Sequence, residues 1–335
     1  MVAMRPLRAL APGLGVLLVL GLLARGITAL IPFESHLIIV IGLGVLVANT
    51  IGIPRWAEGG VQTHSLWLET GIILMGVTVV LQQVVDAGAQ VLLVVGFAIC
   101  GTVITVEILA REIFNIPEKI GSLLAAGAGV CGVSAVAAVA GSIKPNQQHI
   151  AYAAATVLLF DAVSLVVYPA IGHLLELSDL VFGIWAGATM LSTGPVTAAG
   201  FAYSKTAGEW AVLVKLTRNA LIGIVAIGYA LYYSRQGTTD ATVESKWRYL
   251  WTSFPKFIIG FVAIMLLRSA GVFSEAHIRA IGNTSNWLFL VAFAGLGLSI
   301  DIDELRDSGL EPVLAVALSL LVVSSLTLAA LRYVF

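Results

Sequence analysis

Charged residues are scarce in this sequence. Only 11% of its 335 residues are Asp, Glu, Lys or Arg, whereas 59% are hydrophobic, and the mean hydropathy is +0.99. A soluble globular protein carries about 25% charged residues. The composition therefore excludes an ordinary soluble protein, and the short polar breaks between apolar runs leave no room for a separate soluble domain.

Cysteines and basic blocks are also scarce. The two cysteines, Cys100 and Cys131, both lie in apolar runs, so we expect neither a disulfide framework nor a cysteine metal cluster. The 18 basic and 19 acidic residues give a net charge of −1. Because no block of positive charge stands out, a nucleic-acid partner is not expected.

Long apolar runs are what the sequence does contain. Each run of about 18 residues or more is long enough to cross a hydrocarbon core about 30 Å thick. We expect an all-α, multi-pass protein of the cell (inner or plasma) membrane, in contact with the lipid bilayer along a single integral membrane unit, 1–335. The longest polar stretch, near 234–249, divides it into N-terminal spans (about 1–233) and C-terminal spans (about 250–335). The prediction is about 11 transmembrane helices, at 9–31, 36–53, 66–84, 89–110, 119–142, 150–175, 180–202, 209–233, 252–268, 284–302 and 311–333.

Two segments share one pattern and suggest an internal repeat. Residues 75–88, "MGVTVVLQQVVDAG", and 296–309, "LGLSIDIDELRDSG", each close an apolar span, pass through an interfacial turn and reach an Asp before the Gly that starts the next span. The paired positions are Gly76/Gly297, Thr78/Ser299, Asp86/Asp307 and Gly88/Gly309. Seven predicted spans lie between them, so the pattern predicts halves inserted in opposite directions, as in many transporters.

Residues 125–142, "AAGAGVCGVSAVAAVAGS", contain no large side chain. Small residues let membrane helices approach closely, so a plain close-packed helix is one reading. Here small residues occupy every face, which also permits the helix to unwind where protein covers its backbone. We expect a discontinuous helix whose second half begins near Gly132 to Ser134 and offers unpaired N–H groups to an anion.

A second interruption is predicted in residues 186–200, "AGATMLSTGPVTAAG". Pro195, after Gly194, removes a backbone donor and blocks continuation of the helix, so it must kink or break there. Ser192, Thr193 and Thr197 supply hydroxyls beside the break. Two interrupted helices point to the central site of a transporter.

Three polar residues share one face of the span that follows. Lys215, Arg218 and Asn219 are three or four residues apart, which places them on one side of a helix. Charges inside a span are costly and are functional by default, so we expect them to face an anion or an acid. Snorkelling of Lys215 to the interface is the alternative. Asp161, in "VLLFDAVSLVVYP", is the acidic candidate, as their partner or as a coupling-proton site.

Four motifs in order resemble a known family. "GAGVCGVSAV", "FGIWAGATM…VTAAGFA", "AVLVKLTRNAL" and "AGLGLSIDIDELRDSG" are similar to the YeiH-type (UPF0324-like) sulfate exporter family, from about residue 36 to the C-terminus. The resemblance implies a fold of the cation/proton antiporter and anion transporter superfamily, like sodium/proton antiporters and bile-acid transporters, with two bundles and two discontinuous, crossing helices. By position it supports site roles for Gly129, Cys131, Gly132, Ser134, Lys215 and Arg218.

One departure from the family pattern concerns the second interrupted helix. Family members commonly carry a His–Glu pair and a Gln there, where this chain has Leu191, Ser192 and Pro195. The loss of a titratable pair removes an obvious coupling element. Either the substrate differs, or Asp161 has taken over coupling.

The combined prediction is a secondary active transporter, an exporter rather than an enzyme, of a small anion such as sulfate, sulfite, a related sulfur oxyanion or a sulfonate. It requires no cofactor beyond a coupling ion, Na⁺ or H⁺, at Asp161, and a homodimer is left open. The alternatives are a cation/proton antiporter that uses Asp161, an intramembrane enzyme and a non-transporting membrane protein. The predicted substrate-binding residues are Gly129, Cys131, Gly132, Ser134, Ser192, Thr193, Thr197, Lys215, Arg218 and Asn219.

Overall fold

The protein is helical throughout the part described by the computed structural model. That part comprises residues 7–30, 36–79, 81–236, 251–252, 254–301 and 309–334, with the backbone only at 7–9, 83–84, 86–87 and 333–334, and it contains no strand. Six apolar stretches within it are long enough to cross a membrane: Leu10–Leu30, Gly88–Ile113, Gln147–Leu174, Lys205–Arg235, Glu275–Leu298 and Leu310–Arg332. The all-α prediction is confirmed for these residues.

The helices follow one another with short connections. Those of the N-terminal part are α1 (Leu7–Leu30), α2 (His36–Thr50), α3 (Arg55–Val61), α4 (His64–Met75), α5 (Leu81–Ile108), α6 (Glu118–Ala126), α7 (Val133–Ile143) and α8 (Gln147–Leu174). They continue as α9 (Asp179–Thr189), α10 (Thr193–Tyr203), α11 (Lys205–Ala220), α12 (Ile222–Arg235), α13 (Phe257–Ser269), α14 (Glu275–Leu298) and α15 (Leu310–Val334). Single π-helical turns extend α5 (Leu109–Ile113) and α6 (Gly127–Cys131).

The chain folds into two compact units, and each is formed from two separate parts of the sequence. The first unit comprises Met1–Val84 and Phe257–Ile302. In it α14 packs against α2 and α4, while α1 packs against α2 and α3. A Cβ on Gly13 would lie 2.6 Å from the Cα of Gly60, so α1 and α3 approach as closely as small residues allow.

The second unit comprises Val85–Lys256 and Asp303–Phe335. Within it α11 packs against α9 and α10, α8 packs against α6, α7 and α10, and α15 packs against α8 and α9. All predicted site residues belong to this unit.

Several predicted spans have different ends in the structure. The third span, predicted at 66–84, ends at Met75, and a turn at 76–78 leads to α5, which runs without interruption from Leu81 to Ile108. The predicted boundary between one span ending at 84 and the next starting at 89 is therefore wrong, because Gly88 lies inside α5 and the turn lies upstream, at 76–78. The side chain of Asp86 and all of Asp307 lie outside the described residues, and the inverted repeat stays a prediction.

Helix α14 begins nine residues before the predicted start at 284. Its first turn is capped by Ser274, whose side chain accepts a hydrogen bond from His277 N at 3.3 Å, and Glu275 lies at the positive end of the helix. A hydropathy criterion misses this first part of the helix because its residues are polar. The cap, and not burial, marks where the helix begins. Three shorter apolar helices, His36–Thr50, Val133–Ile143 and Phe257–Ser269, accompany the six long stretches, and the total of eleven spans stays a prediction.

Candidate functional site

The first interruption lies where the small-residue stretch predicts it. Helix α6 passes into the π-helical turn Gly127–Cys131, in which Gly132 N donates to Gly127 O at 2.8 Å. Gly132 then takes φ +69° and ψ −141°, a conformation that a residue with a side chain rarely adopts, and α7 starts at Val133. The predicted break near Gly132 is confirmed.

The same stretch also packs closely, so the two readings of its small residues are not exclusive. A Cβ on Gly127 would lie 2.8 Å from Val136 and 2.9 Å from Val157, and one on Gly129 would lie 2.8 Å from Val103. Gly129 thus contributes through its closeness to α5. The absence of a side chain allows close packing at Gly127 and Gly129, and it allows the chain to change direction at Gly132.

The second interruption falls just before the Gly194–Pro195 pair. Helix α9 ends at Thr189, Met190 and Ser192 are extended, and α10 starts at Thr193. Pro195 therefore sits in the first turn of α10, where a missing N–H costs nothing. The predicted break is confirmed, and its position shifts upstream because proline starts the second half-helix rather than ending the first.

The two interruptions meet each other. A Cβ placed on Gly132 would overlap the Ser192 hydroxyl oxygen, at 1.9 Å. Only glycine fits at position 132, because a side chain there would collide with Ser192. The first break is therefore packed directly against the second.

Lys215 joins both interruptions through backbone carbonyls. Its side chain is fully buried, and Nζ donates to Val130 O and Met190 O, each at 2.9 Å, and to Leu191 O. An ammonium group has three N–H donors, so this set uses all of them. Lys215 does not snorkel.

Arg218 reaches the same carbonyl ends one turn further along α11. It is also fully buried; Nη1 donates to Met190 O at 2.8 Å and Nη2 to Ala128 O at 2.9 Å. Its Nε has no hydrogen-bond partner among the residues that the structure describes. The C-terminal end of a helix carries partial negative charge, so both cations compensate the carbonyl ends of the first half-helices.

Asp161 lies on the other side of the second break. It is 5% exposed, and its Oδ1 accepts from Ser192 N at 3.0 Å, the N-cap residue of α10. Within the described part of the chain it forms no ion pair with Lys215 or Arg218 at 4.0 Å or less. A carboxylate here complements the positive end of α10.

The remaining predicted residues divide into two groups. Asn219 is buried; its Nδ2 donates to Thr193 Oγ1 at 2.9 Å, and its Oδ1 has no partner in the described part of the chain. Thr197 donates to Thr193 O at 2.7 Å. Ser192 and Thr193 are half-buried and Cys131 is buried, whereas Ser134 is exposed in the first turn of α7. The structure therefore brings the predicted residues to one place: Ser134 is exposed, but its side chain hydrogen-bonds to the Cys131 thiol.

Sequence reasoning missed a hydroxyl network beside the breaks. The Tyr168 hydroxyl donates to Thr189 Oγ1 at 2.9 Å and hydrogen-bonds with Ser324 Oγ at 3.2 Å, and Trp185 Nε1 donates to Ser324 Oγ at 2.9 Å. Serines and threonines of apolar spans carry little signal, because they also bond to their own helix.

No group of three or more His, Cys, Asp or Glu that could hold a metal ion occurs among the described residues. The geometry defines a helical membrane protein with two interrupted helices whose carbonyl ends are held by two buried cations.

The chain belongs to the family described as Conserved hypothetical protein 698, whose model matches residues 12–316. A UPF0324 membrane protein of Nitratidesulfovibrio vulgaris is 33% identical over 313 residues, covering 90% of this chain and 86% of that protein. Another from Bacillus cereus is 31% identical over 307 residues, covering 90% and 88%. No solved structure matches the chain. The predicted family is confirmed. The names of these relatives describe them as membrane proteins and give no activity.

Proposed function

We propose that the protein is a secondary active transporter of a small anion in the cell membrane, with sulfur oxyanions and small sulfonates as the first candidates. The observation that carries the proposal is the meeting of two interrupted helices at buried charges. Paired interrupted helices are a recurring feature of transporter substrate sites. The proposal includes no enzymatic activity and no cofactor.

The charge balance at the breaks supports an anion. Lys215 and Arg218 bring two positive charges and Asp161 brings one negative charge, all buried. If all three are ionised, one positive charge is in excess, because the positive ends of α7 and α10 are offset by the negative carbonyl ends that precede the two breaks. An anionic substrate would balance this excess.

The roles proposed for the two cations differ from direct substrate contact. Because all three Lys215 donors engage carbonyls, we propose that Lys215 and Arg218 hold the breaks and supply the field. The substrate would contact the half-buried Ser192 and Thr193 and the first turns of α7 and α10. A helix N-terminus offers N–H groups suited to an oxyanion.

Asp161 would couple the anion to a proton. As a carboxylate it occupies the Ser192 N–H, a donor at the start of α10. Protonation weakens it as an acceptor and removes a negative charge from the site, so anion and proton would bind together. This role deepens the predicted coupling function of Asp161.

Proteoliposomes test the proposal. We expect uptake of labelled sulfate, sulfite, thiosulfate or a small sulfonate above empty vesicles, with a dependence on the pH gradient that Asp161→Asn removes. Asp179→Asn, an exposed acid at the start of α9, is the matched control and should retain coupling. Absence of flux for all these anions would refute the anion proposal.

A cation/proton antiporter is the second candidate, and one observation favours it. Lys215 and Arg218 already compensate the carbonyl ends, which is the role they would have if Asp161 bound the cation. Sodium flux that needs no anion, depends on a pH gradient and disappears in Asp161→Asn would select this candidate instead.

A further inference from the structure

A second feature of this unit is a groove between α5 and α12. The groove has a volume of about 560 Å³, within the about 300–1,000 Å³ typical of ligand pockets. Its wall is mainly apolar, with Ile99, Val103, Ile104 and Ile108 on α5 and Val225 on α12. Ile104 and Ile108 are more than half exposed, so the groove opens to the outside of the molecule within an apolar, membrane-length stretch.

One end of the groove is polar. Arg111 Nε donates to Glu107 Oε2 at 2.6 Å, and its Nη1 donates to the Tyr232 hydroxyl at 2.7 Å. Because the Tyr232 oxygen accepts this bond, its own hydroxyl proton is available to a further acceptor. Tyr229 OH donates to the other oxygen of Glu107 at 2.8 Å, which completes the end of the groove.

The charge of this end is negative. Among the described residues, the acids and bases that line the groove are Glu107, Arg111 and Glu112, one positive against two negative charges. Arg111 pairs with Glu107, whereas Glu112 is exposed and forms no ion pair among the described residues. A head group with a positive charge is therefore favoured over a purely anionic one.

The length of the groove fits one acyl chain. From Ile99 to Ile108, α5 rises about 14 Å at 1.5 Å per residue. One leaflet of a hydrocarbon core about 30 Å thick is about 15 Å deep. The polar end lies at the end of the apolar stretch Gly88–Ile113, where a head group would be found.

We propose that this groove binds a zwitterionic aminophospholipid. Its acyl chain lies along the apolar wall, its phosphate accepts from the Tyr232 hydroxyl, and its ammonium group pairs with Glu112. Ile99 and Val103 of the wall lie next to Gly129 of the first interruption, so the bound chain would lie one side chain away from the break.

Lipid retention by the full-length protein tests the head group. The purified protein is exchanged into nanodiscs of equimolar phosphatidylethanolamine and phosphatidylglycerol with the same acyl chains, and the lipid that stays bound is measured by native mass spectrometry. A charge-assisted contact corresponds to a preference of about tenfold for phosphatidylethanolamine. Glu112→Gln should abolish the preference, whereas Glu118→Gln, an acid 3.8 Å from Arg111 that does not line the groove, should retain it.

Groove filling tests the acyl chain. A Cβ on Gly228 meets no atom of the described residues within 4 Å, so Gly228→Leu fills the groove without a clash with their backbone. Gly42→Leu in α2, where a Cβ likewise meets no described atom, is the matched control. Cys100 lines the groove and is exposed whereas Cys131 is buried, so maleimide reports on Cys100 alone. Phosphatidylethanolamine should slow maleimide labelling of Cys100 about tenfold in the wild-type protein and in Gly42→Leu. It should not slow this labelling in Gly228→Leu.

Equal retention of both lipids, or the same labelling rate with and without phosphatidylethanolamine, would overturn the proposal. Protection of Cys100 that depends on protein concentration rather than on lipid would also overturn it, since a second copy of the chain would then cover the groove. Neither measurement needs transport, so the result is separate from the proposed function.

Discussion

The substitution Lys215→Met removes the donor that serves both interruptions and keeps a buried side chain of similar length. Met190 O keeps its bond from Arg218 at 2.8 Å, but Val130 O and Leu191 O lose the Lys215 donor. A buried acceptor left unsatisfied costs about 1–3 kcal/mol, so two such carbonyls cost about 2–6 kcal/mol. Hydrogen bonds measured in a membrane protein average about 0.6 kcal/mol, which gives a lower bound of about 1 kcal/mol.

The assay compares the free energy of unfolding in mixed micelles with the reactivity of Cys131. This cysteine is buried beside the first break, so in a protein whose exposed Cys100 is replaced by Ser, loosening of the break should make Cys131 react with maleimide. Lys205→Met, in the same helix but with a side chain 77% exposed, is the control and should change neither quantity. A Lys215→Met protein with the wild-type unfolding free energy and an unreactive Cys131 would refute the structural role of the ammonium group.

Two further substitutions probe the interruptions and the hydroxyl network. Gly132→Ala should lower the unfolding free energy by about 1–3 kcal/mol from the positive φ alone, and more from the overlap with Ser192, which Ser192→Gly should partly relieve. Gly141→Ala, in open helical surroundings, should be neutral or slightly stabilising in the same unfolding assay; equal effects of the two alanines would contradict the reading of Gly132. Tyr168→Phe removes two hydrogen bonds and should cost about 1–2 kcal/mol. Tyr152→Phe, which loses one 3.4 Å contact, should hardly change the unfolding free energy. A larger loss of stability in Tyr152→Phe than in Tyr168→Phe would contradict the importance of the network.

The sequence reveals the interruptions because the backbone conformation at each break requires a particular type of residue. A positive φ at Gly132 and a first-turn proline at Pro195 leave a local signature, and the predicted breaks lie within a few residues of the observed ones. The family likewise follows from local motifs. Helix ends are less predictable, since the polar start of α14 depends on a capping serine rather than on hydropathy.

The partners of the charged residues could not be read from the sequence. Spacing places Lys215 and Arg218 on one face, but their acceptors are main-chain carbonyls of Ala128, Val130, Met190 and Leu191. Every residue has a carbonyl, so residue type carries no signal for this contact. The polar end of the groove between α5 and α12 could not be predicted either, because it joins Glu107 to Tyr229 across 122 positions.

The order of the chain gives the cation contacts a consequence for biosynthesis. Both carbonyl ends, at Ala128–Val130 and at Met190–Leu191, leave the ribosome before α11 brings Lys215 and Arg218. Domains are made from the N-terminus onward, and exposed backbone carbonyls are costly in lipid. The two interrupted segments therefore need water or the insertion machinery as a temporary partner until α11 arrives. A nascent chain that stops before residue 215 should expose both breaks, and one that extends beyond Arg218 should close them in a single late step.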